Sequence, residues 1–105
     1  MDNALLLSDL TASLNKGFPG IISKVVIFGS RVTGGAREDS DLDVLVVINT
    51  ADDWRLKRSI IDAFYEFDQK YDILTDVTVF TEDEMKTIKG RQPYIQQALE
   101  TGITA

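Results

Sequence analysis

The chain has 105 residues, 44% hydrophobic and 27% charged, which suits one domain with its own core and leaves no room for a second. It contains no histidine and no cysteine, which excludes disulfides, zinc fingers, thiol nucleophiles, Ser-His-Asp triads and imidazole acid–base catalysis. Its 17 acidic and 11 basic residues give a net charge of −6, a poor match for a nucleic-acid backbone, so extended nucleic-acid binding is not expected and the chemistry left is that of carboxylates, hydroxyls, Lys and Arg.

Taken in chain order, Asn3 to Lys16 carries Leu6, Leu7, Leu10 and Leu14 at helical spacing, and the breakers Gly17, Phe18, Pro19 and Gly20 end it. Lys24 to Phe28 is a β-branched run that reads as a buried strand leading into Gly29-Ser30. A polar, glycine-containing stretch from Arg31 to Ser40 follows. Asp41 to Ile48 is the second strand, and past Asp43 both of its faces are apolar, the pattern of a strand covered on both sides.

Asp52 or Asp53 caps a long helix to about Lys70, with Ile60, Ile61, Phe64 and Phe67 on its buried side. Ile73 to Phe80 is a third strand, with Val77 and Val79 on one face and Asp76 and Thr78 on the other. Thr81-Glu82-Asp83-Glu84 is a capping box opening a short helix, and a last helix starts near Pro93 and stops before Gly102. The result is a small α/β domain over residues 1–105. Its sheet should be mixed, because about twelve residues between the first two strands are few for a helical crossover. The longest apolar run, Val44 to Ile48, is far too short to span a membrane, and the acidic start Met1-Asp2-Asn3 does not open a signal peptide. The expected location is cytoplasmic.

The chemistry concentrates between the first two strands. Asp41 and Asp43 lie two apart on a strand, so their carboxylates share a face, with α-carbons about 6.6 Å apart. So placed, they can share one Mg²⁺ or hold two ions at the roughly 4 Å separation of two-metal phosphoryl transfer. Asp76, on a neighbouring strand, is the best-placed third carboxylate, with Asp72 as the fallback. Gly29 and Ser30 end the first strand in a turn where backbone N–H groups and a hydroxyl can hold phosphate oxygens. An isolated Asp-x-Asp is usually a solvated turn or a cap. The full spacing Gly-Ser-x₁₀-Asp-x-Asp, however, arises by chance in a chain of this composition only about half a percent of the time.

Gly29-Ser30, ten residues, then Asp41-Leu42-Asp43 resembles the signature of the polymerase-β-type nucleotidyltransferase superfamily. The setting Phe28-Gly29-Ser30-Arg31, the strand aspartate Asp76, and Pro93-Tyr94-Ile95 leading to Glu100-Thr101-Gly102-Ile103 are similar to the minimal nucleotidyltransferases, antitoxins paired with HEPN-domain ribonuclease toxins. The resemblance implies a polymerase-β-like α/β fold with a small mixed sheet flanked by helices. It implies that Asp41, Asp43 and Asp76 are catalytic and bind two Mg²⁺ ions, with Asp76 helping to activate the attacking hydroxyl. Gly29, Ser30 and Arg31 would bind the nucleotide. It further implies ATP as the donor and a tyrosine hydroxyl of the HEPN toxin as the acceptor of AMP. Two other readings stand beside it: a catalytically idle antitoxin that neutralises its partner by contact, and a nucleotidyltransferase for a small-molecule acceptor. Whether the chain forms an oligomer is left open.

Other residues read more blandly. Arg37 is expected in a surface salt bridge, Glu38 and Asp39 as solvated loop charges, and Arg55, Lys57 and Arg58 as a solvated helix face. Trp54, Tyr65 and Tyr94 are more readily explained by packing than by contact with a base or partner.

Overall fold

All four leucines of the first segment are buried, and their spacing forms helix α1 (Asn3–Gly17). Seen as a computed structural model, the protein is described over residues 3–29, 41–87 and 91–105. The elements after α1 are β1 (Ile22–Phe28), β2 (Leu42–Ile48), α2 (Trp54–Tyr71), β3 (Thr75–Thr81), α3 (Glu82–Met85), α4 (Pro93–Thr101) and β4 (Ile103–Thr104). The strands form one sheet in the order β3-β2-β1-β4. β1 runs antiparallel to β2 and β4, whereas β2 and β3, joined through α2, are parallel. The expected mixed sheet is therefore present.

The doubly apolar pattern of β2 is explained by helices on both faces. Val44, Val46 and Ile48 join Val25, Ile27 and the leucines of α1, with Ile60, Phe64 and Phe67 of α2 closing that side. Leu45 and Val47 turn the other way, to Val26, Phe28, Ile95 and Ala98, beneath α4. Every residue from Val44 to Ile48 is buried. At about 25 cal/mol per Å² of apolar surface, this doubly covered strand contributes to both halves of the hydrophobic core.

Asp53 caps α2, its carboxylate accepting the Arg55 and Leu56 N–H groups. Asp72 ends that helix in the left-handed conformation (φ 53°, ψ 47°) and so lies ahead of β3 rather than on it. The β3 strand consequently starts at Thr75 rather than Ile73. The buried stripe of α2 is Ile60, Phe64 and Phe67; Ile61, expected among them, points to solvent because it is rotated about 100° from Ile60. Trp54 and Tyr65 are also exposed, not packed as expected, and the Arg55 guanidinium lies over the Trp54 ring at 5.3 Å.

The capping box is present: Thr81 Oγ1 accepts the Glu84 N–H and the Glu84 carboxylate accepts the Thr81 N–H, both at 3.0 Å. The same carboxylate oxygen binds Lys57 Nζ at 2.5 Å, and Asp52 binds that ammonium at 2.9 Å. Lys57 is thus no solvated charge; its side chain is 19% exposed and ties α2 to α3. Burial pulls the Lys57 pKa down, but the hydrogen bonds and charges of Glu84 and Asp52 outweigh it and raise the value above the ordinary one. A second tie joins α1 to α2, where Asp9 accepts hydrogen bonds from Tyr71 Oη and Lys70 Nζ. Those two bonds hold the Asp9 carboxyl below the usual carboxylate range.

β4 has no sequence signal of its own, being two exposed residues without alternation. It forms because α4 returns the chain to β1, where Ile103 pairs with Ile27 and Thr104 with Val26. The return depends on Gly102: a Cβ there would stand 2.6 Å from Val26 Cγ1 and 2.8 Å from the Ile27 carbonyl.

Candidate active site

Three strand ends meet beside α4. Phe28 closes β1 and is the register partner of Asp43, the second residue of β2. Asp43 is in turn the register partner of Asp76, the second residue of β3. Because register partners share a face, Phe28, Asp43 and Asp76 form a row across the sheet, with neighbouring strands about 4.8 Å apart. Alternation along β2 puts Asp43 on the same face as Leu45 and Val47, the side covered by α4. Asp41 lies just before β2, whose start is pinned by the Leu42 N–H to Leu74 carbonyl bond at 2.8 Å.

Asp43 is half-buried, while Asp41 and Asp76 are exposed. Burial raises the Asp43 pKa, and the charges of Asp76 and Asp41 raise it further. Two of the carboxylates singled out from the sequence, Asp41 and Asp76, therefore act on the third, Asp43. Among the described residues, no three Asp or Glu side chains close into a ready-made cage for one ion. Burial contributes most to the Asp43 shift, and repulsion among like charges adds to it.

Gly29 explains how the turn and the carboxylate fit together. Its φ of 92° lies in the left-handed region, and a Cβ would run into the Asp43 carboxylate, standing 3.1 Å from Cγ. Only glycine lets the backbone pass this close beneath the acid. The donor set, hard carboxylate oxygens beside an open glycine backbone, fits Mg²⁺ with a phosphate group. Ser30 and Arg31, with Gly34, Gly35, Arg37, Glu38, Asp39 and Ser40, lie outside the described residues.

The site also includes a residue that sequence reasoning assigned to packing. The Tyr94 ring meets Phe28 edge-on, with centroids 5.1 Å apart and planes at 72°. Burial raises the Tyr94 pKa, the charges of Asp43 and Asp76 add to this, and a hydrogen bond with the Thr78 side chain opposes it. Pro93 signals only a helix start. That the next residue stands against Phe28, at one end of the carboxylate row, follows from how α4 docks on β1, which no local pattern encodes.

A mixed four-stranded sheet presenting a carboxylate row at a glycine turn is a frame for handling phosphate groups through hard cations. The family described as nucleotidyltransferase domain matches residues 7–102, and the chain belongs to that family. Over 68 residues it is 34% identical to a candidate protein adenylyltransferase of Methanocaldococcus jannaschii, in a match covering 65% of each chain. The chain thus spans about 65% of the length of that curated relative. Its fold is similar to the crystal structure of a candidate nucleotidyltransferase from Sulfolobus solfataricus, with a TM-score of 0.56 and 23% identity, covering 95% of this chain and 76% of that one.

Proposed function

We propose that the protein is a Mg²⁺-dependent nucleotidyltransferase that moves AMP from ATP onto a tyrosine hydroxyl of a protein, acting as the antitoxin of a HEPN-domain ribonuclease. The observation that carries the reading is the pairing of Asp43 with Asp76 in parallel register, with the Asp41 charge in reach and Gly29 opening the backbone beneath Asp43. Membership of the nucleotidyltransferase domain family supports the reaction type. The name of the Methanocaldococcus relative supports a protein acceptor.

In this reading Asp41 and Asp43 hold two Mg²⁺ ions and Asp76 holds the catalytic one. Mg²⁺ held there would neutralise triphosphate charge and lower the pKa of the attacking hydroxyl, chemistry that needs no histidine. Gly29 and Ser30 hold the β- and γ-phosphates through backbone N–H groups and a hydroxyl. Arg31 offsets phosphate charge. Asp76 orients the acceptor hydroxyl toward the α-phosphate and takes up its proton.

The test is transfer of label from α-labelled ATP to a co-expressed HEPN-domain protein in the presence of Mg²⁺. The wild-type chain should label the partner on tyrosine, and Asp41→Asn or Asp43→Asn should remove the label. Undiminished labelling by both variants would overturn the site assignment. Full neutralisation of the toxin by variants that no longer label it would show that contact, not transfer, silences the partner.

A further inference from the structure

Tyr94 places a tyrosine hydroxyl at the chemistry proposed above. It is the second residue of α4, directly after Pro93, and its ring stands edge-on against Phe28 at 5.1 Å. Phe28 is the register partner of Asp43, and Asp43 of Asp76, so the ring lies at one end of the carboxylate row. The phenol is within hydrogen-bonding reach of the Thr78 side chain. Thr78 lies two residues beyond Asp76 on the same strand face, level with Leu45, so the phenol extends from Phe28 on β1 across β2 toward β3. The residue is 40% exposed, which leaves it open to a ligand bound over the carboxylates. Packing against Phe28 uses the ring and leaves the hydroxyl end free of the core.

We propose that Tyr94 is an internal acceptor, a self-modification site that takes the nucleotidyl group when no partner tyrosine is present. This rests on the nucleotidyltransferase reading and goes beyond it. In the step, Tyr94 Oη bonds to the α-phosphorus of a nucleoside triphosphate. The bond from that phosphorus to the bridging oxygen breaks, pyrophosphate leaves with the electron pair, and the phenolic proton passes to a carboxylate of the row and then to solvent. Modified Tyr94 would fill the place an incoming tyrosine needs.

The test incubates the full chain with Mg²⁺ and each of the four common ribonucleoside triphosphates in turn, reading intact mass and mapping the modified peptide. A parallel reaction adds the co-expressed HEPN-domain protein. The expected result is a mass gain of one nucleoside monophosphate on Tyr94, reduced to background in Tyr94→Phe, which keeps the ring against Phe28, and in Asp43→Asn. Site mapping on the wild-type chain makes the result independent of how either variant folds. Label on the HEPN protein in the parallel reaction, with Tyr94 unmodified when the chain is incubated alone, would overturn this inference and leave the function standing, as would label on another residue of the chain. Absence of label on both proteins would remove the functional reading and this inference together.

Discussion

The two faces of the sheet are finished differently, although β2 contributes to both. On one, α1 and α2 seal Val25, Ile27, Val44, Val46 and Ile48 into an uninterrupted apolar layer. On the other, α4 covers Val26, Phe28, Leu45 and Val47 but leaves Asp43 half-buried and Asp76 exposed at the row's open end. The difference separates stability from chemistry. The sealed face and the buried run Val44–Ile48 fix where β2 starts, and charges that repel one another can then be held at that start without endangering the fold.

If the separation is real, the two faces should respond to substitution in opposite ways. The largest effect is expected at Asp43: Asp43→Asn should lower nucleotidyl transfer about a thousandfold or more, since cation-borne charge stabilisation is worth several kcal/mol. The stability of the cation-free protein should stay level or rise, because the change relieves repulsion from Asp41 and Asp76. Urea unfolding and label transfer on the same samples check both halves, and a large loss of stability would break the comparison. Ile27→Ala on the sealed face should do the reverse, costing about 2–5 kcal/mol in urea unfolding while the folded fraction keeps its transfer rate.

Lys57 of α2 is tied to Glu84 of α3. Lys57→Met should cost about 1–3 kcal/mol, since Glu84 keeps its capping bonds but loses its cation. Because the folded Lys57 pKa is raised, the contribution is fully present below the ordinary value of 10.5 and is lost as pH rises through the folded value. Wild type and variant should therefore converge in stability on the alkaline side, and a constant gap would contradict the assigned ion pair. Gly29→Ala lies at the junction of the two regions. Strain at a φ of 92° should cost about 1–2 kcal/mol, and the added Cβ should displace the Asp43 carboxylate, so transfer falls as well. The smallest effect is at Asp72, where Asp72→Gly should stabilise α2 by up to about 1 kcal/mol in thermal unfolding.

Much of this architecture was legible from spacing. The leucines of α1, the doubly apolar β2, the Thr81–Glu84 capping box and the α4 boundaries all follow from local periodicity and cap chemistry, and the structure places them as expected. The face of Asp43 was legible for the same reason, since two-residue alternation fixes a face once a strand is recognised, although β2 starts at Leu42 and leaves Asp41 just outside the strand expected from Asp41. Three features were not. The two exposed residues of β4 pair only because α4 and Gly102 return the chain to β1. Lys57 looked solvated because its partner Glu84 is 27 residues away. Tyr94 does pack against Phe28, but its place at the end of the carboxylate row is set by the docking of a whole helix. Each depends on long-range placement that a local pattern does not carry.

The most direct test of the central claim is calorimetric titration of a non-transferable ATP analogue into the protein with and without Mg²⁺. The carboxylate row should make binding Mg²⁺-dependent, and Asp43→Asn should weaken it strongly. Equal binding without Mg²⁺, or undiminished Mg²⁺-dependent binding by the variant, would contradict the assignment of this row as the nucleotide–metal site.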